Sequence, residues 1–459
     1  MEDKQKQQLF EEVPISKAVM ALSVPTVLSS LVMVFYNIAD TYFVGMLNDS
    51  VENAAVTLAA PVLLAFNAIN NLFGVGTSSM MSRALGRKDY DTIYRSSAFG
   101  FYCSIFCGIL FSVLCTVFSE QLLALLGANA KTIHTTRAYL KWTVTFGAVP
   151  AILNVVLAYF IRSEGASVHA SIGTMSGCFL NILLDPVFVL PWGFGLGAEG
   201  AGIATFISNC VACLYFFILL YFRRKSTYVC IKPNMFGLKK EIVTGVCGVG
   251  IPASIQNLLN VTGMTVLNNF TAMYNAEAVA AMGIAYKIYM IPFHITLGLS
   301  QGIMPLISYN FASRNIKRMK KSFLFTAKLS LSFLIAAGIL YFLSAKGLIW
   351  LFIKDETIIH YGASFLRGYT VGLPFICMDF LAVGVFQACG MGRKSLVFAI
   401  FRKIILEIPA LYLLNLIFPL YGLAYAQSIS EVILSIAAVI VLIRLFKNLS
   451  CLLYTSRCV

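Results

Sequence analysis

Asn181 and Asp185 stand four residues apart, so on a helix an amide and a carboxylate share one face. Pro186 follows directly and, lacking an N–H, frees the carbonyl of Ile182 four residues back. Amide, carboxylate and freed carbonyl together suit Na⁺ or a transferable proton. Asp40, in NIADTYFVG, is a second acid in apolar surroundings, and Asp379, Glu407 and Glu431 lie in apolar stretches nearer the C-terminus. A charge at the centre of a bilayer costs at least about 2.5–3.5 kcal/mol, which makes every such acid a candidate for function. The competing reading for Asp40 and Asp185 is a polar contact that merely joins helices. That reading is stronger for Asp379, Glu407 and Glu431, whose partners at helical spacing are less evident. Glu407 can pair with Arg402 or Lys403 near an interface.

Uncharged amides are frequent in the same stretches: Asn37, Asn67, Asn70, Asn71, Asn154, Gln256, Asn257, Asn260, Asn268 and Asn269. In membranes such groups join helices more often than they bind ligands. Tyr36, Phe66, Met264, Tyr286, Met290 and Phe293 could line an adaptable cavity, although each alone reads as a packing residue. Lys287 is the clear cation within an apolar run. Cys210 and Cys213 have C-x-x-C spacing but no nearby His, and most of the 12 cysteines sit in apolar runs as small hydrophobes. The glycine-rich stretch 192–202 lacks the Lys-Ser/Thr of a phosphate loop and reads as a tight exterior turn. With four histidines, no H-E-x-x-H and no G-x-S-x-G, enzymatic chemistry has no constellation, and no cofactor is expected.

The elements that must hold these residues follow from hydropathy. The chain is 59% hydrophobic and 12% charged, with a mean hydropathy of +0.82, against roughly 45–50% apolar and 25% charged for a soluble domain. Apolar runs long enough to span a bilayer cover 15–40, 54–82, 92–118, 136–161, 168–190, 199–222, 242–270, 277–310, 321–345, 360–389, 395–418 and 421–446. The expectation is an all-α polytopic membrane protein with twelve transmembrane helices. Lys and Arg outnumber acids 34 to 20, yet about 24 of the basic residues fall on the N-terminal side of the runs and about 6 on the other, which places both termini in the cytoplasm without nucleic acid. The first run is too long for a signal-peptide core and is retained as helix 1.

The longest polar interruption, 223–240, divides the chain into halves that resemble each other at an offset near 225. Val24-Pro25 answers to Ile251-Pro252, Ser82 to Ser308, Pro150 and Gly165 to Pro374 and Gly390. Gly200, Ala204 and Ser208 answer to Gly422, Ala426 and Ser430. The expected organisation is a six-helix lobe over 1–222, a basic cytoplasmic linker at 223–240, a second six-helix lobe over 241–447, and a tail at 448–459 that reads as non-native. Each half has an even number of crossings, so the lobes are parallel pseudo-symmetric repeats, an arrangement that serves alternating access. Pro25 deprives Ala21 of a helical partner and can kink helix 1.

Taken together the residues resemble the multidrug and toxic compound extrusion transporters over nearly the whole chain. The resemblance rests on 24–45, SRALGRKD (82–89), 162–189, GAEGAGIAT (197–205) and PLISYNFASRN (305–315). It implies a secondary antiporter exporting cationic or amphipathic drugs against inward H⁺ or Na⁺. The branch with an aspartate on helix 1 implies a cation site of Asp40, Asn181, Asp185 and Thr205, with Asn154 nearby and Pro25 at the bend. Tyr36, Asn37, Phe66, Gln256, Asn257, Met264, Tyr286, Met290 and Asp379 are the candidates for the substrate cavity. The chain departs from the branch with a C-lobe cation site by reading Gln256 in place of a helix 7 glutamate. The implied setting is a bacterial plasma membrane, with lipid and small molecules as partners and a monomeric state. The rivals are a flippase of a lipid-linked saccharide, which needs a cationic inner cavity, and a passive channel or scaffold.

Overall fold

In the computed structural model, residues 2–47 and 49–455 are described, and they are almost wholly helical. Residues 456–459 of the expected tail lie outside them. After a short helix, Glu2–Glu11, come α1 (Ile15–Gly45), α2 (Ser50–Gly86), α3 (Tyr90–Val117), and α4, a pair Ile133–Phe146 and Ala148–Ser163 bent by 49°. Then follow α5 (Ser167–Val189), α6 (Gly197–Phe222), α7 (Lys240–Ala272), α8 (Ala276–Ala312), α9 (Ile316–Trp350) and α10 (Glu356–Ala388). The helix α11 runs through Gly392–Ile400, Phe401–Glu407 and Ile408–Ile417, and α12 covers Leu423–Thr455. Among the described residues ten helices are single spans long and apolar enough to cross a membrane, and α4 is a broken eleventh. The twelfth, α11, opens into a π turn at Phe401–Glu407, which carries three charged side chains.

Helix starts are set by short polar side chains that satisfy free N–H groups. Asp49 accepts from Val51 N–H, Asp89 from Thr92, Asn275 from Ala278, Asn315 from Arg318 and Asp355 from Ile358. The α4 bend follows a π turn, Lys141–Phe146, and Gly147.

The repeat recurs as geometry. Ser82 Oγ donates to the Ser163 carbonyl at 2.9 Å, and Ser308 Oγ to that of Ala388 at 2.9 Å. Lys88 and Arg314 share a left-handed backbone (φ 58° and 59°), as do Gly165 and Gly390 (88° and 76°).

Packing divides the chain into two compact units: Met1–Leu9 with Leu28–Ser254, and Phe10–Val27 with Ile255–Val459. The cuts fall within α1 and α7, so the leading segment of each helix packs with the half that follows or precedes it in sequence rather than its own. Small residues permit both contacts. A Cβ on Gly250 of α7 would lie 2.0 Å from the Leu72 carbonyl oxygen of α2, and one on Gly76 of α2 2.5 Å from that of Val246. In the second unit a Cβ on Gly302 of α8 would lie 2.6 Å from Ser23 Cα, and one on Gly298 2.8 Å from Val27 Cα. Within that unit α10 is the most buried span and packs on α8, α9 and α12.

Candidate functional site

In the first unit the α5 and α6 helices approach closely because α5 presents Gly173 and Gly177; a Cβ on Gly177 would already touch Ala212 Cβ at 3.0 Å. That proximity brings Thr205 of α6 to Asn181. With its amide oriented by its neighbours, Asn181 donates to Asp185 Oδ2 at 2.9 Å and accepts from Thr205 N–H at 3.1 Å. Asn209 Nδ2 donates to the Thr205 carbonyl at 3.0 Å, and Asn154 Nδ2 of α4 donates to Asn209 Oδ1 at 3.3 Å. The result is a polar chain through three helices, with Asp185 fully buried at its end.

Two acceptors in this chain have no hydrogen-bond donor: Asp185 Oδ1 and Asn154 Oδ1. Asp40 of α1 is half-buried and within electrostatic reach of Asp185, as are the phenols of Tyr36 and Tyr139. Neither carboxylate has a basic partner among the described residues. Two like charges so placed, one deeply buried and half-satisfied, are stabilised by a positive ion or by protonation. All five residues of the expected cation set therefore lie in one unit and close together. Pro25, by contrast, belongs to the second unit, in an α1 that remains helical through it.

Tyr139 and Asn209 complete the cluster without having been singled out from sequence. Asn209 had a signal, since it stands four residues after Thr205 on one helical face. Tyr139 had none, because α4 lies near α1 only through tertiary packing.

The expected substrate residues fall in both units. Tyr36 joins the carboxylates, whereas Asn37 is exposed and bonded to its own helix at the Met33 carbonyl. Phe66 is buried edge-on against Phe111. In the second unit Gln256 accepts from Gln387 at 3.2 Å, and Asn257 and Met290 are half-buried. Met264 and Tyr286 line a small cavity of about 40 Å³ together with Asn260, Gln427, Lys403 and Glu407. A separate cavity of about 310 Å³ between α3 and α4 touches none of the carboxylates and contributes nothing to their chemistry.

Three charge expectations are corrected. Asp379 is not a free acidic contact: it is buried and ion-paired at 3.2 Å with Arg402, whose other nitrogen lies 3.0 Å from Glu431. Lys403 pairs with Glu407 at 2.6 Å, also buried rather than interfacial. Lys287, expected to be buried, is exposed. The interior cations of the second unit are Arg402 and Lys403, which stand near the start of the apolar run 395–418, where sequence alone reads basic residues as the mark of a membrane edge.

Comparison with known proteins turns this geometry into a family. The MatE family profile matches residues 25–187 and again 252–413, one match for each half of the repeat. The chain belongs to the MatE family. The multidrug export protein MepA of Staphylococcus aureus (strain MRSA252) is 34% identical over 444 residues, 96% of each chain. That of Staphylococcus saprophyticus is 35% identical over the same length and coverage. A solved structure described as the outward-facing conformation of a multidrug resistance MATE family transporter of the MOP superfamily matches with a TM-score of 0.91. It is 26% identical, covering 97% of this chain and 98% of that one. The fold is accordingly the all-α, twelve-helix, two-lobed fold of these membrane transport proteins.

Proposed function

We propose that this protein is a secondary antiporter that exports cationic or amphipathic drugs in exchange for H⁺ or Na⁺. The coupling cation is held by Asp40, Asn181, Asp185 and Thr205, with Asn154 behind them. The observation that carries this reading is Asp185: fully buried, free at Oδ1, and without a basic partner among the described residues. A carboxylate left that way in hydrocarbon is costly unless a cation or proton meets it. Similarity to proteins named for multidrug export supports the substrate class. By linkage, whatever the cation does to drug affinity the drug does to cation affinity, so the two need not touch to exchange.

The protein acts as a monomer in a bacterial plasma membrane, with both termini cytoplasmic, and carries no enzymatic chemistry. Arg402 and Lys403 do not favour a flippase, because three buried carboxylates outweigh them and leave no net positive interior in their unit.

The test is efflux of a fluorescent organic cation from proteoliposomes under an imposed pH or Na⁺ gradient. The Asp185→Asn variant should lose gradient-driven transport at least tenfold while still inserting and binding the dye. Undiminished gradient-dependent export would remove Asp185 from the mechanism.

A further inference from the structure

The second unit buries five charged side chains that no coupling role assigned above uses. They are Asp379 on α10, Arg402, Lys403 and Glu407 on α11, and Glu431 on α12, each at most 7% exposed. Three carboxylates face two cations, so full ionisation leaves one uncompensated negative charge in the interior, where an unpaired ion is heavily penalised. Lys403 Nζ donates to both Glu407 oxygens at 2.6 and 2.7 Å, which leaves Arg402 facing two acids; Asp379 Oδ2 is 3.2 Å from Arg402 Nη1, which makes no aligned hydrogen bond. Of the two acids facing Arg402, Glu431 is the less satisfied, since only Oδ1 of Asp379 lacks a hydrogen bond. It lies 3.0 Å from Arg402 Nη2, but neither of its oxygens has an aligned hydrogen bond.

Among the described residues, the groups around it leave no further cation to answer it. From α8 come the phenols of Tyr286 and Tyr289, the latter accepting from Gln427 of α12 at 2.8 Å. From α10 come Tyr369, stacked on Tyr289 at 5.1 Å, and Asp379 itself. From α7 come the neutral Asn260 and Gly263. Arg402 lies over the Phe380 ring, 4.7 Å from its centroid, which fixes it between the two acids.

We propose that Glu431 carries a proton in the unliganded protein and that this is a second, independent ionic site. A cationic ligand group arriving at the adjoining cavity displaces that proton. The O–H bond of Glu431 breaks, the proton leaves to water, and the ligand's positive charge restores neutrality to the network. The cavity of about 40 Å³, lined by Arg402, Lys403 and Glu407, has room for roughly two waters to receive it. The proton rests on the charge count alone; only its displacement rests on the substrate class proposed above.

The test uses purified full-length protein in detergent, lightly buffered, with tetraphenylphosphonium as ligand and a pH dye as readout. The Asp40→Asn/Asp185→Asn variant should still release protons on binding, up to about one per ligand, and adding Glu431→Gln should abolish the release. In parallel, infrared spectra of the unliganded double variant should contain a protonated-carboxyl stretch that Glu431→Gln removes. Glutamine mimics the neutral acid, so the triple variant should fold. Release that survives Glu431→Gln, or a carboxyl stretch indifferent to it, overturns the proposal. If the double variant binds no ligand, the infrared comparison decides. Failure of Asp185→Asn to impair efflux would touch the coupling site and leave this result standing.

Discussion

Replacing Arg402 by Met tests whether the second unit's network is held together by one guanidinium. Methionine keeps the length and apolar stem of the side chain but removes both contacts, at 3.2 Å to Asp379 and 3.0 Å to Glu431. If Glu431 is already protonated, only Asp379 is stranded, and it is 1% exposed. Breaking a buried pair by removing one partner typically costs about 3–5 kcal/mol. The stranded acid can escape by taking up a proton, which for an ordinary Asp at pH 7 costs about 4 kcal/mol, roughly three pH units at 1.36 kcal/mol each. The two routes agree, so the expected loss is about 4 kcal/mol. Because the escape consumes a proton, the deficit should shrink by about 1.4 kcal/mol for each unit of acidification. Chemical unfolding in mixed micelles from pH 7 to pH 5 measures both quantities. Adding Asp379→Asn should recover most of the loss, since an amide needs no counter-charge. A deficit under about 1 kcal/mol, or one that ignores pH, would refute the reasoning and make the ion pairs incidental.

Asn181→Ala removes the donor to Asp185 and one polar ligand; hydrogen bonds to charged groups are worth about 1.5–3 kcal/mol, so apparent affinity for the coupling cation should change by roughly 10- to 100-fold in transport titrations. Gly250→Ala drives a Cβ into the Leu72 carbonyl and should cost about 1–3 kcal/mol, whereas Gly248→Ala, with nothing within 4 Å, should be neutral or gain up to about 1 kcal/mol; equal outcomes would mean the α2 and α7 helices do not meet there. Glu164 sits buried at the corner between α4 and α5, 3.0 Å from Lys6 and accepting from Tyr228 N–H at 2.7 Å. Burial pushes its carboxyl above the ordinary value despite Lys6 and its hydrogen bonds. Its folded form thus prefers the proton, and its contribution is full below the ordinary carboxylate value and declines as pH rises through the raised one. Glu164→Gln should flatten that decline in unfolding experiments, and a decline unchanged in the variant would assign it to another group.

Features carried by local spacing were legible in the sequence. The helices and the Asn181-Asp185-Pro186 face arise from residues within one or two turns, and so does the Lys403–Glu407 pair, four residues apart; the repeat shows when the two halves are laid side by side. The Asp379–Arg402–Glu431 bridge was not legible, because its members are 23 and 29 residues apart on three helices. Nothing local distinguishes Arg402 from the basic residues that mark a membrane edge. The unit boundaries were hidden for a related reason. Composition shows a break at 223–240, where the chain becomes polar, but packing cuts α1 after Val27 and α7 after Ser254, inside unbroken helices. The prolines at 25 and 252 stand two residues before those cuts; the sequence marks Pro25 as a kink and Pro252 as its counterpart in the repeat, and neither as a boundary.

The repeat also explains why the two units differ chemically on one scaffold. Asp379 stands 225 residues after Asn154, the spacing that relates Gly165 to Gly390; Glu431 stands 222 after Asn209, the spacing that relates Gly200 to Gly422. In the first unit those positions hold two amides joined directly at 3.3 Å. In the second they hold two carboxylates, which repel each other and are bridged instead by Arg402. An amide pair is neutral at any pH and leaves Asp185 as the deeply buried charge of its cluster. A carboxylate pair brings two charges and one cation, and so must dispose of a proton. Amides at these positions in one half and acids in the other therefore give one transporter two ionic sites of different kinds: one that lacks a basic partner among the described residues and one that has its own.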